Sequence, residues 1–167
     1  MFHGIFINTS LVTRSFEDLG MVEGIHHVEI TVKDLDKAVK FYTEKFGLKL
    51  VNKITQRVAG DEKGHELEGS NMIIATLQAG KDTFELIEYT NREGESCEAI
   101  PWNRGQMHAA FLVSDVQKMY EDLRNEKGVK FFSPPIPYKN KAKGINVIWC
   151  YLRDPEGAQI ELIQVLK

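Results

Sequence analysis

Val28, Ile30 and Val32 alternate with His27, Glu29 and Thr31, a period of two that predicts a strand with one face for a core and the other left for chemistry. After Asp34 the period becomes helical. Leu35, Ala38, Val39, Tyr42 and Phe46 form one stripe, with Asp34 as a polar cap and Gly47 as a stop. The second half of the chain follows the same plan. Ala109, Phe111 and Val113 mark a strand, and Val116, Met119, Tyr120 and Leu123 a helical stripe. Ser114 with Gln117 predicts a capping box there, and Gly128 the stop. Three more strands are predicted after each helix, in the first half over 48–58, 71–77 and 83–89, with a turn at 79–82. In the second half the turn is Asp154, Pro155, Glu156 and Gly157. Segments 59–70, rich in Gly and charge, and 133–144, rich in Pro and Lys, are predicted loops.

The two halves are in step. His27, Asp34 and Gly47 match His108, Asp115 and Gly128 at the same spacing, and Glu85-Leu86-Ile87 matches Glu161-Leu162-Ile163 near each module's end. The expected fold is α+β: two βαβββ modules forming a cupped, barrel-like mixed sheet with the helices outside. Residues 24–167 make one domain, with module one over about 24–90, a linker at 91–105 and module two over about 106–167. Residues 1–23 stand apart as an N-terminal extension, and nothing in them, His3 included, names a task.

Composition narrows the field. With 167 residues, 43% of them apolar, the chain can bury a core as one compact unit. A net charge of −3 and a pI near 6.0 give no general attraction to nucleic acid or an acidic membrane, so neither is an expected partner. No stretch has the apolar length of a membrane span, and the opening residues lack the pattern of a signal peptide. Cys97 and Cys150 are too few and too far apart for a disulfide framework, which fits a reducing compartment and an expected cytoplasmic location.

Strand alternation puts His27, His108, Glu85 and Glu161 on the faces away from the helices, in the cavity of the cup. A carboxylate among Phe, Leu and Ile is costly to bury without a partner, and a divalent cation shared with imidazoles is a fitting one. A single strand His or Glu would more simply be a hydrogen-bonded or solvated side chain; it is the repeat that singles these four out as metal ligands. Glu29, Thr31 and Tyr89, with Ile87, share the cavity face and are read as substrate-binding positions. His26 should face the other way, His65 should lie in solvent, and Lys139, Lys141 and Lys143 read as a solvated run.

The segments HHVEITVKDLDKAVKFYTEKFGL, FELIEY, MHAAFLVSDV and YLRDPEGAQIELIQ resemble the vicinal oxygen chelate superfamily, which includes glyoxalase I, methylmalonyl-CoA epimerase, extradiol dioxygenases and the fosfomycin and bleomycin resistance proteins. The resemblance runs from about Gly24 to the end. It implies a divalent ion (Ni, Co, Zn, Mn or Fe) held by His27, Glu85, His108 and Glu161, a ligand set most like that of glyoxalase I. Where glyoxalase I carries an Arg and an Asn for glutathione, this chain has Thr31 and Tyr89. The function implied is a lyase or isomerase acting through an enediolate on a small substrate with vicinal oxygens, with Glu161 and Glu85 catalytic and Glu161 as the base. Two alternatives stay open: an Fe(II) ring-cleaving dioxygenase using His27, His108 and Glu161, and a small-molecule-binding resistance protein. A homodimer is expected, with the site inside one chain or between two.

Overall fold

The computed structural model describes residues 23–59, 69–95 and 100–167; His3, His65 and Cys97 lie outside them. Module one runs β1 (Val28–Thr31), α1 (Leu35–Phe46), β2 (Lys49–Ala59), β3 (Ser70–Ala79) and β4 (Asp82–Tyr89). Module two runs β5 (Ala109–Leu112), α2 (Val116–Leu123), β6 (Lys130–Phe131), β7 (Ile136–Asn140), β8 (Ile145–Arg153) and β9 (Gln159–Val165). The first sheet has the order β1-β4-β3-β2; the second has β5-β9-β8-β6, with β7 also on β8. In each, the first strand of the module pairs parallel with the last, and the rest of the ladder is antiparallel. The cupped α+β architecture is present, but as two mixed sheets rather than a closed barrel.

Each helix starts by the same device. The Asp34 carboxylate accepts from the Lys37 N–H at 3.0 Å and that of Asp115 from the Lys118 N–H at 2.9 Å. The last strand of the module adds a second acceptor: Glu88 takes the Leu35 N–H at 2.7 Å, and Gln164 the Val116 N–H at 3.1 Å. Helix-start N–H groups have no partner within the helix, so these side chains fix where each helix begins and tie it to its sheet. Asp34→Ala and Asp115→Ala are each expected to lower the urea midpoint of unfolding; no shift in either would remove the caps from the stability account.

Three expectations need correction in module two. The cap of α2 is Asp115, not Ser114, because the longer carboxylate one position on reaches the first free N–H groups, while Gln117 turns to Glu121. The helix ends at Leu123 with Arg124 as its cap, before Gly128, since no apolar residue follows Leu123 to extend the buried stripe. Gly128, at φ +87° with Pro155 3.1 Å from where a Cβ would sit, serves the following turn. Segment 133–144 is not all loop: β7 pairs with β8 from Ile136 opposite Trp149 to Asn140 opposite Ile145. It is an edge strand, where Pro137 is tolerated, and tertiary pairing overrides its Pro- and Lys-rich composition.

The modules share one core. Leu35, Ala38 and Tyr42 of α1 pack on Leu77, Phe84 and Leu86, while Val116 and Leu123 of α2 pack on Leu152, Ile160 and Leu162. Ile30, Phe46, Ala109 and Phe111 belong to both clusters. Phe111 of module two lies with its ring 5.3 Å from Phe46 and 5.2 Å from Phe84 of module one. With that face closed, His27, His108, Glu85 and Glu161 are left on the opposite one.

Candidate functional site

The register of the parallel strands sets the site. In module one Val28 faces Phe84 across the ladder and Glu29 faces Glu85, so the apolar pair enters the core and the acidic pair leaves it. In module two Ala109 faces Ile160 and Ala110 faces Glu161. The repeat is therefore unequal: where module one places the carboxylate of Glu29, module two has the methyl of Ala110.

His27 Nε2 lies 3.8 Å from a Glu85 oxygen, and His108 Nε2 lies 3.0 Å from Glu161 Oε2. The imidazoles are each 37% exposed, while Glu85 and Glu161 are 19% and 14% exposed, so the carboxylates are sheltered and the imidazoles reachable. Ligand atoms of His27, Glu29 and Glu85 lie within 4.8 Å of one another, the group of three among the described residues that could hold a metal ion. His108 and Glu161 form a separate pair. A divalent ion of the borderline class accepts such an imidazole and carboxylate set, so His27, Glu29 and Glu85 have a chemistry that fits a metal ion, in a group that does not include the predicted His108 and Glu161. Glu29 has its carboxyl pushed up, first by burial and then by the Glu85 charge, with His27 acting in the opposite sense. A cation would offset both causes.

The remaining predicted positions have other surroundings. Thr31 is exposed at the end of β1. Tyr89 packs against Met72, Ile74 and Ile87. His26 does not turn away: its ring lies edge-on to that of His27, with the two Nδ1 atoms 2.9 Å apart. One of these nitrogens must carry the proton, and His27 is left with Nε2 toward Glu85. A cleft of about 510 Å3 at the start of α1, lined by Lys33, Asp36, Glu88 and Glu156 among others, contains none of the predicted ligands. Cys150 is buried, its thiol pushed up to about 11 mainly by burial, and stays a protonated core side chain.

Sequence reading missed the residues facing the carboxylates across the ladder. Thr76 is opposite Glu85 and Tyr151 opposite Glu161. The Thr76 hydroxyl donates to Glu85 Oε1 at 3.1 Å. The Tyr151 phenol is raised above its ordinary value, first by burial and then by the Glu161 charge, which keeps it a donor. The signal was available, since the same alternation that selected the glutamates selects their cross-strand neighbours once the hairpin register is known.

Comparison with known proteins agrees with this frame. Residues 24–162 match the model of the Glyoxalase/Bleomycin resistance protein/Dioxygenase superfamily. A 2-epi-5-epi-valiolone epimerase of Actinomyces sp. is 35% identical over 147 residues, covering 84% of this chain and 79% of the relative. A lactoylglutathione lyase of Arabidopsis thaliana is 36% identical over 139 residues, 83% of this chain, which spans only 43% of that relative's length. The crystal structure of a glyoxalase family protein from Bacillus cereus superposes with a TM-score of 0.73 over 88% of this chain and 97% of that one, at 23% identity, a likeness of fold. The relatives are named for a lyase and an epimerase activity, and the chain is an enzyme of that broad kind. It belongs to the Glyoxalase/Bleomycin resistance protein/Dioxygenase superfamily.

Proposed function

We propose that this enzyme is a metal-dependent isomerase that moves a proton at the carbon beside a carbonyl, on a small substrate with two adjacent oxygens, through an enediolate. The observation that carries it is the imidazole and carboxylate pair placed at the same strand position in each module. Epimerisation of a hydroxyketone is favoured over a glutathione-dependent lyase reaction. The epimerase relative is matched over most of its length, and Thr31 and Tyr89 offer no cationic group for a glutathione carboxylate.

His27, Glu85, His108 and Glu161 would hold the ion, with Glu29 close enough to join them. When bound, a divalent ion supplies Lewis acidity, which makes the carbon beside a carbonyl easier to deprotonate. The rest is done by the chain. Glu161, sheltered but in contact with His108, takes the proton and returns it to the other face or the neighbouring carbon. Glu85 occupies the equivalent position in module one and is the partner carboxylate on the other side of the substrate. Because each chain presents a pair with a reachable imidazole from each module, the complete site is assigned to a homodimer in which one protomer's pair faces its partner's.

Elemental analysis of protein purified without chelator tests the centre. Close to one equivalent of Ni, Co, Zn or Mn per chain is expected, lost in His27→Ala and in His108→Ala. Iron accompanied by oxygen uptake on a catechol would replace isomerisation by ring cleavage. Metal-free protein with full proton-exchange activity on a hydroxyketone would sink the proposal altogether.

A further inference from the structure

The residues across the ladder from the two glutamates differ, yet both modules place a hydroxyl there: Thr76 against Glu85 and Tyr151 against Glu161. In module one the division of labour is visible. Thr76 donates to Oε1 of Glu85, and it is Oε2 that lies toward His27. In module two Tyr151 stands opposite Glu161 in the register, and Glu161 has its Oε2 3.0 Å from His108. The Tyr151 ring also meets His108 edge-on with centroids 5.1 Å apart, and Trp149 backs it in the same manner at 5.3 Å.

A glutamate carboxyl turns about its last torsion over a broad, twofold range, so an unsupported one offers its oxygens in many directions. A cross-strand donor on a stiff scaffold removes that freedom. Thr is restricted at its first torsion by branching, and Tyr151 is restricted by the rings on either side. We propose that Thr76 and Tyr151 are positioning residues for the two glutamates, each fixing its carboxylate so that an oxygen is presented on the histidine side, with Tyr151 also orienting the His108 ring. The assignment rests on the metal centre proposed above. It also makes the halves unequal: module two has both donors oriented by one side chain, whereas Thr76 supports only the carboxylate of module one.

Affinity for Co2+, measured by competition with a chromophoric chelator on the full chain, tests this without recourse to turnover. Outer hydrogen bonds to metal ligands are commonly worth about 10–100-fold in affinity, so Thr76→Val and Tyr151→Phe should each weaken Co2+ binding by about tenfold or more. Thr76→Ser, which restores the donor, should remain near the wild type. Tyr151→Leu, which removes hydroxyl and ring together, should bind more weakly than Tyr151→Phe. Should Thr76→Val fail to fold, Tyr151→Phe decides, because it preserves the ring packing. Binding within about twofold of wild type in Tyr151→Phe and in Thr76→Val, with Co2+ lost in His108→Ala, overturns the positioning role and leaves the metal centre standing. No Co2+ binding by the wild type overturns both.

Discussion

Glu161→Gln is expected to lower turnover by about 10²–10⁴-fold, the range set by losing a positioned proton carrier, while the protein keeps its fold and part of its metal affinity. Gln has nearly the shape of Glu and retains one oxygen to face the ion, but it cannot take a proton from carbon. The pair geometry makes Glu161 the stronger choice of base. It is the less exposed of the two glutamates, and its oxygen lies nearer its histidine, 3.0 Å against 3.8 Å for Glu85. Glu85→Gln should accordingly affect metal content more than proton transfer. The measurement is exchange of the substrate's carbon-bound hydrogen for deuterium, followed by NMR, beside metal content for each variant. Wild-type exchange in Glu161→Gln would remove that residue from the role of base.

The sequence disclosed most of what depends on local period and on the repeat. Val28, Ile30 and Val32 gave the first strand, Leu35 to Phe46 the first helix, and the echo of His27 and Glu85 in His108 and Glu161 the two pairs of imidazole and carboxylate. What stayed hidden depends on which strand lies beside which. Glu29 becomes a third potential donor because its strand runs parallel to β4 in register with Glu85, while Ala110 holds the equivalent place beside Glu161. Thr76 and Tyr151 matter only once the antiparallel register sets them opposite the glutamates. The strand β7 owes its existence to pairing with β8, against the leaning of its own Pro and Lys residues. The choice of Asp115 over Ser114 as cap was legible: the repeat itself aligns Asp115 with Asp34, and that symmetry outweighs the local Ser-x-x-Gln pattern. The ladder of rings from Phe46 through Phe111 to Phe84, which joins the modules, follows from no local pattern at all.

The same long-range packing underlies the second large effect, the loss of stability expected in Asp154→Ala. Tyr42 of α1 and Asp154 in the turn before β9 are separated by 112 residues, yet the Tyr42 hydroxyl donates to Asp154 Oδ2 at 2.7 Å in the buried seam between the modules. Oδ1 of Asp154 accepts from the backbone N–H groups of Glu156 at 3.0 Å and Ala158 at 2.8 Å. Tyr42 is 1% exposed and Asp154 2%, so water cannot replace a lost partner. Asp154→Ala leaves the phenol and two N–H groups unmatched, for about 3 kcal/mol or more, whereas Tyr42→Phe removes one charge-assisted hydrogen bond, for about 1.5–3 kcal/mol. Burial raises the Asp154 carboxyl above its ordinary value even though three donors lower it, and nearby Glu156 pushes it further up. For an acid raised by folding, the protonated form is favoured in the native state. Its stabilising contribution is complete below the ordinary carboxylate range and fades as pH climbs through the raised native value. Asp154→Asn cannot ionise, so the stability of this variant relative to wild type should improve as pH rises from about 3.5 to 7. Urea unfolding of wild type, Asp154→Asn, Asp154→Ala and Tyr42→Phe across that interval gives all these quantities. If Asp154→Ala unfolds within about 1 kcal/mol of wild type, the seam between the modules is held by the aromatic core alone and the Tyr42 to Asp154 bond is incidental to it.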